Sequence, residues 1–248
     1  MLLKGKVAII TGASRGIGKA IALVFAQHGA FLVINGTKGE LLEKLRDEIR
    51  SMGRKCIIQV GDVSDPDTGV KLAKSAFDEF GHIDILVNNA GIITRTTTLD
   101  TEPEEWRRII EVNLSGTFYC CKAVLPYMIN QKYGKIINIS STRGKAPHPN
   151  ASPAYGASKA GIIYLTRHLA LEMGKYNIYV NAICPGPIET EMVSTWERDY
   201  RDQVISKIPL GKLGLPEDVA NLVLFLASDM SNFITGEAIN INGGAYMD

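Results

Sequence analysis

The sequence predicts an α/β fold whose parallel sheet is covered by helices on both faces. Short runs rich in β-branched residues alternate along the chain with longer amphipathic segments, which is typical of repeated strand and helix units. The first run, residues 7–10, is apolar at every position, as expected of a strand buried on both sides. A glycine-rich turn then leads directly into a helix. No stretch resembles a linker or a repeat, so we expect residues 1–248 to form one domain.

Composition excludes several classes of function. The 27 Lys and Arg residues nearly balance the 26 Asp and Glu residues, and a net charge of +1 gives no support for a nucleic-acid partner or an anionic membrane surface. No run approaches the roughly 20 apolar residues that a membrane span needs. The first strand is reached without the uncharged stretch of a secretory signal, so we expect a cytoplasmic protein.

Cysteine and histidine residues show no ligand spacing. The four cysteines contain no Cys-x-x-Cys pair, so we expect free, buried thiols; they are Cys56, Cys120, Cys121 and Cys184. The four histidines are scattered along the chain. We therefore predict no metal site.

The first strand, turn and helix form a candidate phosphate-binding unit. The turn, residues 11–18, reads Thr-Gly-Ala-Ser-Arg-Gly-Ile-Gly. Its glycines let the backbone approach a pyrophosphate, and the helix start presents unpaired N–H groups to it. The spacing is neither Gly-x-Gly-x-x-Gly nor the Walker type, and the turn alone leaves a plain tight turn open. The candidate cofactor contacts here are Gly12, Ser14, Arg15, Ile17 and Gly18.

The second strand, residues 31–35, bears on the choice of cofactor. An enzyme that selects NAD usually has an acidic residue after this strand for the ribose 2′-hydroxyl, and here the strand closes with Asn35, Gly36, Thr37 and Lys38. Arg15, Thr37 and Lys38 could instead contact a 2′-phosphate. We therefore favour NADP(H), with NAD(H) as the alternative. In the competing interpretation, Arg15 and Lys38 are solvated surface charges.

The next two strands end in further candidate contacts. Asp62 follows residues 56–60 and could accept a hydrogen bond from an adenine amino group, with Val63 beside it. The strand at residues 83–87 is followed by the amide residue Asn89 and the small residues Ala90 and Gly91. These residues would let the nicotinamide and its ribose lie against the backbone.

Asn113 is an unexpected residue in a predicted helix. A capping box at residues 101–104 predicts the helix start, and the apolar pattern continues to Asn113. Asn is a poor interior helix former and is costly to bury without partners. We therefore expect Asn113 to make specific hydrogen bonds.

Tyr155 and Lys159 form the candidate catalytic pair. Four residues apart on a predicted helix, they project from one face about 6 Å apart at Cβ. An ammonium group in a sheltered cleft could lower the phenol pKa from its usual value of about 10. Ser141 follows the strand at residues 135–139 and is placed to project at its end. The spacing alone is equally typical of ordinary helix-surface residues.

The last part of the chain is expected to close the site. A strand at residues 179–183 ends in the Pro-rich stretch 184–190. The segment at about residues 190–212 has mixed polarity and is predicted to be a substrate lid, with a rigid pair of surface helices as the alternative. A helix from Pro216 and a strand at residues 238–241 complete the fold.

Taken in order, these motifs resemble the short-chain dehydrogenase/reductase family over essentially the whole chain. The matching residues are 11–18, Asp62, 88–91, Asn113, Ser141, Tyr155, Lys159, Pro185, Gly186 and Thr190. The resemblance implies a single doubly wound Rossmann-type domain with a seven-stranded parallel sheet and helices on both faces, assembled as a homotetramer. It also implies that Pro185, Gly186, Ile188 and Thr190 contact the cofactor.

The same resemblance implies roles for the catalytic residues. Tyr155 would be the general acid and base, Lys159 would depress the phenol pKa and hold the nicotinamide ribose, and Ser141 would bind the substrate carbonyl. Asn113 would bind a water leading to Lys159. The interval between Ser141 and Tyr155 is one residue longer than is common in the family, which leaves Ser140 or Thr142 as substitutes for Ser141.

The resemblance leaves the substrate open among ketones and secondary alcohols. Residues 11–18 and Thr37 are similar to those of the 3-oxoacyl-[acyl-carrier-protein] reductases, which implies an acyl-thioester substrate and an acyl carrier protein as a partner. Candidate basic contacts for that partner are Lys132, Lys135 and Arg167, although Tyr176 stands where those reductases often carry an Arg. Residues 89–95 look equally like sugar-acid and polyol dehydrogenases. A non-catalytic dinucleotide-binding regulator is a further alternative.

Overall fold

Seven parallel strands form one sheet in the order β3-β2-β1-β4-β5-β6-β7. The computed structural model describes residues 1–194 and 196–248, with Met192 and Ser194 described by their backbone alone. The strands are β1 Val7–Ile10, β2 Phe31–Gly36, β3 Cys56–Val60, β4 Ile85–Asn88, β5 Gly134–Ile139, β6 Ile178–Pro185 and β7 Ala238–Ile241. The predicted α/β fold with a seven-stranded parallel sheet is therefore confirmed.

Helices cover both faces of the sheet. They are α1 Gly16–Gln27, α2 Gly39–Ser51, α3 Pro66–Phe80, α4 Pro103–Ile110, α5 Gly116–Gln131, α6 Pro153–Met173, α7 Glu191–Ser194, α8 Arg198–Ser206 and α9 Pro216–Ala227. Buried side chains of α1, α2 and α9 form one apolar core, and those of α3, α5 and α6 form the other. No helix in the described ranges is long and apolar enough to cross a membrane.

The two cores explain why the strands read as continuous apolar runs. Ala8 and Ile10 of β1 belong to the core under α1, whereas Val7 and Ile9 belong to the core under α3. Successive side chains of a strand point to opposite faces, so a strand covered on both sides needs an apolar residue at every position. The apolar character of β1 is therefore a direct consequence of its central place in the sheet.

Strand order reverses between β1 and β4, and this is the usual ligand position in an open α/β sheet. The chain proceeds from β1 outwards to β3 and then returns to the other side of β1. Loops leaving the carboxyl ends of β1 and β4 separate in opposite directions, which leaves a crevice above the sheet. The predicted glycine turn and Asn89 lie at this reversal point.

Several predicted strand boundaries differ from the observed ones by one or two residues, namely those of β2, β4, β5 and β6. Strand β4 begins at Ile85, and just before it the Asp84 carboxylate accepts a hydrogen bond from the Val7 backbone N–H at 2.8 Å. Helix α4 has Glu102 as its N-cap and no side-chain capping bond, so the predicted capping box is wrong. The Thr101 hydroxyl donates instead to the carbonyl of Thr97 at 2.7 Å.

Candidate active site

A cleft of about 630 Å³ opens at the carboxyl ends of the strands. Most of the predicted site residues line it. They are Gly12, Ser14, Arg15, Ile17, Gly18, Thr37, Asp62, Val63, Asn89, Ala90, Gly91, Ser141, Tyr155, Lys159, Pro185, Gly186, Ile188 and Thr190. Asn113 is fully buried behind the wall of the cleft, and the exposed Lys38 lies outside the described lining.

The glycine turn after β1 makes an open cradle. Gly12 and Gly16 have φ of +63° and +54°, a region that side chains disfavour. A Cβ on Gly18 would lie 2.3 Å from the Gly12 carbonyl oxygen, so only glycine fits. Helix α1 begins after Arg15 without a side-chain cap. Its first N–H groups are therefore left to bind an anion.

Asn89 ties this turn to the end of β4. Its side-chain amide donates to the carbonyls of Thr11 and Gly12 at 3.0 and 2.9 Å. In return, the Thr11 hydroxyl accepts hydrogen bonds from the backbone N–H groups of Asn89 and Ala90 at 3.0 and 3.1 Å. The Asn89 side chain therefore shapes the cradle, and Asn89 also lines the cleft.

Asp62 forms an ion pair with Arg108, a residue of the cleft that the sequence did not predict. Its carboxylate pairs with the guanidinium of Arg108 on α4 and accepts from the Ser64 hydroxyl at 2.8 Å. Burial raises the carboxyl pKa, but the hydrogen bonds from Arg108 and Ser64 outweigh it, so the pKa of Asp62 lies below its usual value. Arg108 also lines the cleft. Nothing in its helical sequence context singled it out.

Arg15 extends from the glycine turn to the other wall of the cleft. Its guanidinium lies 3.2 Å from the carboxylate of Glu191 at the start of α7, and both side chains are more than half exposed. An ion pair this exposed contributes typically less than about 1 kcal/mol, so a phosphate can replace the carboxylate. Thr37 is exposed at the end of β2, where the described chain carries no acidic side chain.

Tyr155 and Ser141 meet in the inner part of the cleft. Tyr155 is half-buried near the start of α6, where Ser152 caps the helix by accepting from the Tyr155 N–H at 3.2 Å. Burial raises the pKa of Tyr155, while its hydrogen bond with Ser141 and the positive charge of Arg143 oppose the rise. The phenol pKa is therefore above its ordinary value, and the expected depression by Lys159 is wrong for this arrangement.

Lys159 is buried below the phenol. Its ammonium group donates to the carbonyl of Ile139 at 2.8 Å and lies 5.7 Å from the centre of the Tyr155 ring. Burial lowers the pKa of Lys159 to about 8, against a small opposing effect of Cys184. A Cβ on Gly91 would lie 3.4 Å from the Lys159 nitrogen, so the small residue keeps the lysine open to the cleft.

The three adjacent hydroxyl residues after β5 have different environments. The Ser140 hydroxyl donates to the carbonyl of Lys159 at 2.8 Å and is thereby committed to the backbone. The Ser141 hydroxyl accepts from the Arg143 N–H at 3.1 Å and is also hydrogen-bonded to the Tyr155 phenol. Ser141, rather than Ser140, is therefore placed to act together with Tyr155.

Asn113 has the partners that its position required. It lies in a single π-helical turn, Glu111–Ser115, between α4 and α5. Its side-chain amide donates to the Ile92 carbonyl and the Ser158 hydroxyl at 2.9 and 3.0 Å, and its oxygen accepts from the Ile92 N–H at 2.8 Å. Such turns are frequent at functional sites. Asn113 thus joins the loop after β4 to the helix of Tyr155.

Arg143 is the second residue that the sequence reading missed. It lies in the short 3₁₀ turn Thr142–Gly144, lines the cleft and is half-buried. A Cβ on Gly144 would lie 2.6 Å from the Lys159 carbonyl carbon, so this turn packs directly on the backbone of α6. The available signal was a basic residue two positions after Ser141, at the carboxyl end of a central strand.

The predicted lid segment contains two helices, α7 and α8. Val193, Trp196, Tyr200 and Val204 line the cleft from this side. The rings of Trp196 and Tyr200 contact each other edge to face with centres 5.0 Å apart. Thr195, within the predicted lid, lies outside the described residues.

The basic residues suggested for an acidic partner are poorly placed within this chain. Lys135 is buried, donates to the Ser231 hydroxyl at 3.2 Å and lies over the Tyr179 ring, so its prediction as a surface contact is wrong. Lys132 precedes β5, whereas the cleft lies at the strand's other end. Arg167 is exposed towards the far end of α6.

All four cysteines are free and buried, as predicted. Burial raises the pKa of the Cys56 and Cys120 thiols to about 12, so these thiols are unreactive at neutral pH. Within the described residues, no three His, Cys, Asp or Glu side chains are grouped to hold a metal ion.

Comparisons with known proteins agree with this geometry. The sequence model of the family described as Enoyl-(Acyl carrier protein) reductase matches residues 12–246. The chain belongs to the short-chain dehydrogenase/reductase family. It is therefore an oxidoreductase that uses a nicotinamide dinucleotide and acts on CH–OH groups. The resemblance found in the sequence is confirmed.

Similar proteins cover almost the whole chain. The 3-oxoacyl-[acyl-carrier-protein] reductase of Thermotoga maritima is 43% identical over 244 residues, which are 98% of this chain and 99% of the relative. That of Vibrio cholerae serotype O1 is 40% identical over 250 residues, covering 100% of both chains. The crystal structure of the 3-oxoacyl-[acyl-carrier protein] reductase from Brucella melitensis has a TM-score of 0.94 at 37% identity, covering 100% of this chain and 93% of that one.

The short-chain dehydrogenase/reductase fold of this chain fits a nicotinamide dinucleotide. The uncapped start of α1 and the Gly12 and Gly18 cradle match the needs of a pyrophosphate. Gly91 lines the cleft beside Lys159, where a side chain would reach towards the Lys159 nitrogen. A bound dinucleotide would supply or accept the hydride, and the chain's own residues must bind the carbonyl and move the proton.

Proposed function

We propose that this protein is an NADP(H)-dependent reductase of 3-oxoacyl thioesters. The observation that supports this most is the convergence of Ser141, Tyr155 and Lys159 in one cleft, in a chain that matches 3-oxoacyl-[acyl-carrier-protein] reductases over nearly its full length. Two hydroxyl groups joined by a hydrogen bond can both reach a single carbonyl oxygen. They are suited to polarise that bond and to protonate it.

In this proposal, Tyr155 is the general acid. Its raised pKa keeps the phenol protonated at neutral pH, so the proton is available when negative charge develops on the carbonyl oxygen. Ser141 donates a hydrogen bond to the same oxygen and stabilises the developing alkoxide. After the transfer, the Ser141 hydroxyl and the charge of Arg143 stabilise the phenolate.

Lys159 and Asn113 are assigned supporting roles. The Lys159 ammonium faces the site below Tyr155, where it is proposed to bind the ribose hydroxyls of the cofactor. Asn113 is proposed to be a positioning residue, because its hydrogen bonds hold Ile92 and Ser158 rather than the cleft itself.

The preference for NADP(H) is proposed from the end of β2. Residues 36–39 at the end of this strand include no carboxylate, and Arg15 also lines the cleft. Arg15 and Thr37 are proposed to bind the 2′-phosphate, with Lys38 contributing charge from outside the lining. Arg15→Ala should reduce the ratio of NADPH to NADH efficiency by about tenfold, from the loss of one charge-assisted hydrogen bond. An unchanged ratio would remove Arg15 from this role.

A substrate screen tests the reaction. NADPH oxidation is measured with 3-oxoacyl N-acetylcysteamine thioesters, sugar ketones and simple diketones. The proposal expects the thioesters to have the highest kcat/KM. Preference for a sugar ketone would instead support a sugar or polyol dehydrogenase, and dinucleotide binding without turnover of any carbonyl would indicate a non-catalytic regulator.

An acyl carrier protein is the proposed partner, on the basis of the names of the similar reductases. The test compares one 3-oxoacyl group carried by acyl carrier protein and by N-acetylcysteamine. A lower KM for the protein-bound substrate is expected, because the carrier adds contacts outside the cleft. Equal values would argue against docking of the carrier.

The segment at about residues 190–212 is proposed as the substrate lid of a single domain, since α7 and α8 cover one side of the cleft.

The active form is proposed to be a homotetramer. Large apolar side chains are exposed along α5 and α6, including Phe118, Tyr164 and Leu171. Light scattering should give about four times the chain mass of 27.0 kDa, and a monomer mass would reject the assembly.

A further inference from the structure

Among the described residues, Arg143 and Arg95 line the cleft without an acidic partner, and of these two only Arg143 is partly buried. Arg15 pairs with Glu191, Arg108 with Asp62, and Arg201 with Glu189. No ion pair with a carboxylate is found for the Arg143 guanidinium among the described residues. The phenols of Tyr155 and Tyr200 raise the pKa of Arg143, but burial outweighs them and lowers it.

This unpaired cation is also partly removed from water. Arg143 is half-buried, and burial lowers its pKa, although a guanidinium remains charged at any physiological pH. A desolvated charge without a partner is unfavourable, and an anion that enters the cleft removes this penalty. The residue is held firmly, since its N–H donates to the Ser141 hydroxyl and its turn packs on α6.

The surrounding half of the cleft contains no acidic side chain among the described residues. The acidic residues of the described lining are Asp62 and Glu191, and both are paired with arginines. Arg95 and His148 line the cleft on the Tyr155 side, and burial together with the charges of Arg143 and Lys207 lowers the pKa of His148. This side of the cleft is therefore positively charged before any substrate binds.

We propose that Arg143 is a specificity-determining residue that binds the carboxylate of an oxo-acid substrate whose ketone lies against Ser141 and Tyr155. The inference rests on the proposed oxidoreductase site, and it adds a substrate class, short oxo acids, to the thioesters. The ketone carbon gains a hydride from NADPH and the oxygen gains the Tyr155 proton, giving a hydroxy acid and NADP⁺. The carboxylate is unchanged and stays on the planar, bidentate guanidinium.

The test uses acetoacetate and methyl acetoacetate as NADPH-dependent substrates. The two differ in charge and little else. The proposal expects kcat/KM for the acid to exceed that for the ester by about tenfold, and Arg143→Gln to lower this ratio by about tenfold, to near 1, mainly through the KM of the acid. Arg143→Lys should restore part of the ratio. An acid-to-ester ratio that is the same in the parent and in Arg143→Gln would overturn the proposal.

The acid-to-ester ratio of kcat/KM distinguishes binding of the carboxylate by Arg143 from a general electrostatic effect on the reaction. If Arg143 only stabilises the Tyr155 phenolate, Arg143→Gln slows the acid and the ester equally and the proposal fails. Lys207→Gln is the matched control, because Lys207 is an exposed cation near His148 that does not line the described cleft. It should leave the ratio unchanged. An equal loss in this variant would show that net charge alone is responsible and would also overturn the proposal.

Binding measurements distinguish failure of this inference from failure of the proposed reaction. NADPH fluorescence reports folding and cofactor binding of each variant. With NADPH bound, 3-hydroxybutyrate should bind the parent about tenfold more tightly than its methyl ester does, and this preference should be lost in Arg143→Gln. Absence of turnover with that preference intact would reject the reaction and keep the anion site. Equal binding of the acid and the ester would reject the site whatever the turnover.

Discussion

The two ends of the cleft are built in different ways. At the glycine-turn end, backbone N–H groups and glycines form the surface, and the arginines Arg15 and Arg108 each have a carboxylate partner. At the Tyr155 end, side chains from loops and short helices form the surface, and Arg143 has no acidic partner in the described chain. The first end suits a ligand of fixed shape, whereas the second can change its specificity by single substitutions.

The largest expected effect separates chemistry from cofactor binding. Tyr155→Phe should lower kcat for reduction by about 10³-fold, because a positioned general acid contributes roughly 10²–10⁴-fold. NADPH affinity should change by less than about threefold, since the phenol hydroxyl acts on the substrate. Stopped-flow kinetics and fluorescence titration measure the two quantities. A variant with parent-like kcat would remove Tyr155 from the mechanism.

A substitution at the opposite end should have the reverse pattern. Gly18→Ala places a Cβ 2.3 Å from the Gly12 carbonyl oxygen and 2.5 Å from the Asn89 amide, so the cradle must distort. We expect a loss of about 1–3 kcal/mol in the free energy of unfolding and weaker NADPH binding. Gly39→Ala is the control, because its Cβ would meet only Val60, at 3.6 Å. Equal effects in both variants would contradict the cradle.

The pH dependence of reduction tests the buried amine. Burial lowers the pKa of Lys159 to about 8, so the ammonium is charged below this pH and neutral above it. The pKa of Tyr155 is raised, so the phenol keeps its proton throughout this range. Reduction should therefore fall about tenfold per pH unit above pH 8. The Lys159→Gln variant should reduce substrate slowly at every pH and should not show this decrease above pH 8. If the decrease persists in that variant, it is caused by the titration of another group.

The smallest effect is expected at the paired end. Asp62→Asn removes the charge that Arg108 binds, and the two side chains are 34% and 48% exposed. Pairs in such positions contribute about 1 kcal/mol or less. NADPH affinity should fall less than about fivefold, and kcat should be unchanged. Titration of NADPH measures the change, and a fall in kcat comparable to that of Tyr155→Phe would remove the distinction between the two ends.

Local sequence patterns were sufficient to predict features that lie within a single strand or helix. The strands β3 and β7 have their predicted bounds, and Tyr155 and Lys159 do lie on one helix beside the cleft. The start of α4 lies within the predicted residues 101–104, but the capping box is wrong, because the Thr101 hydroxyl donates to the carbonyl of Thr97 rather than capping the helix. That choice depends on the path of a loop, which a capping pattern does not contain.

By itself, the sequence predicted the parallel sheet, the glycine turn and the placement of Tyr155 and Lys159 on one helix, because each depends on a local pattern. The order of such patterns along the chain carried the resemblance to the family. Only the tertiary structure decided that Ser141 and not Ser140 contacts the phenol, that Lys135 is buried, and that Arg143 has no acidic partner among the described residues. These facts depend on burial and on contacts between distant segments. The sequence gives the formal charge of each side chain, whereas folding determines its partner and its exposure to water.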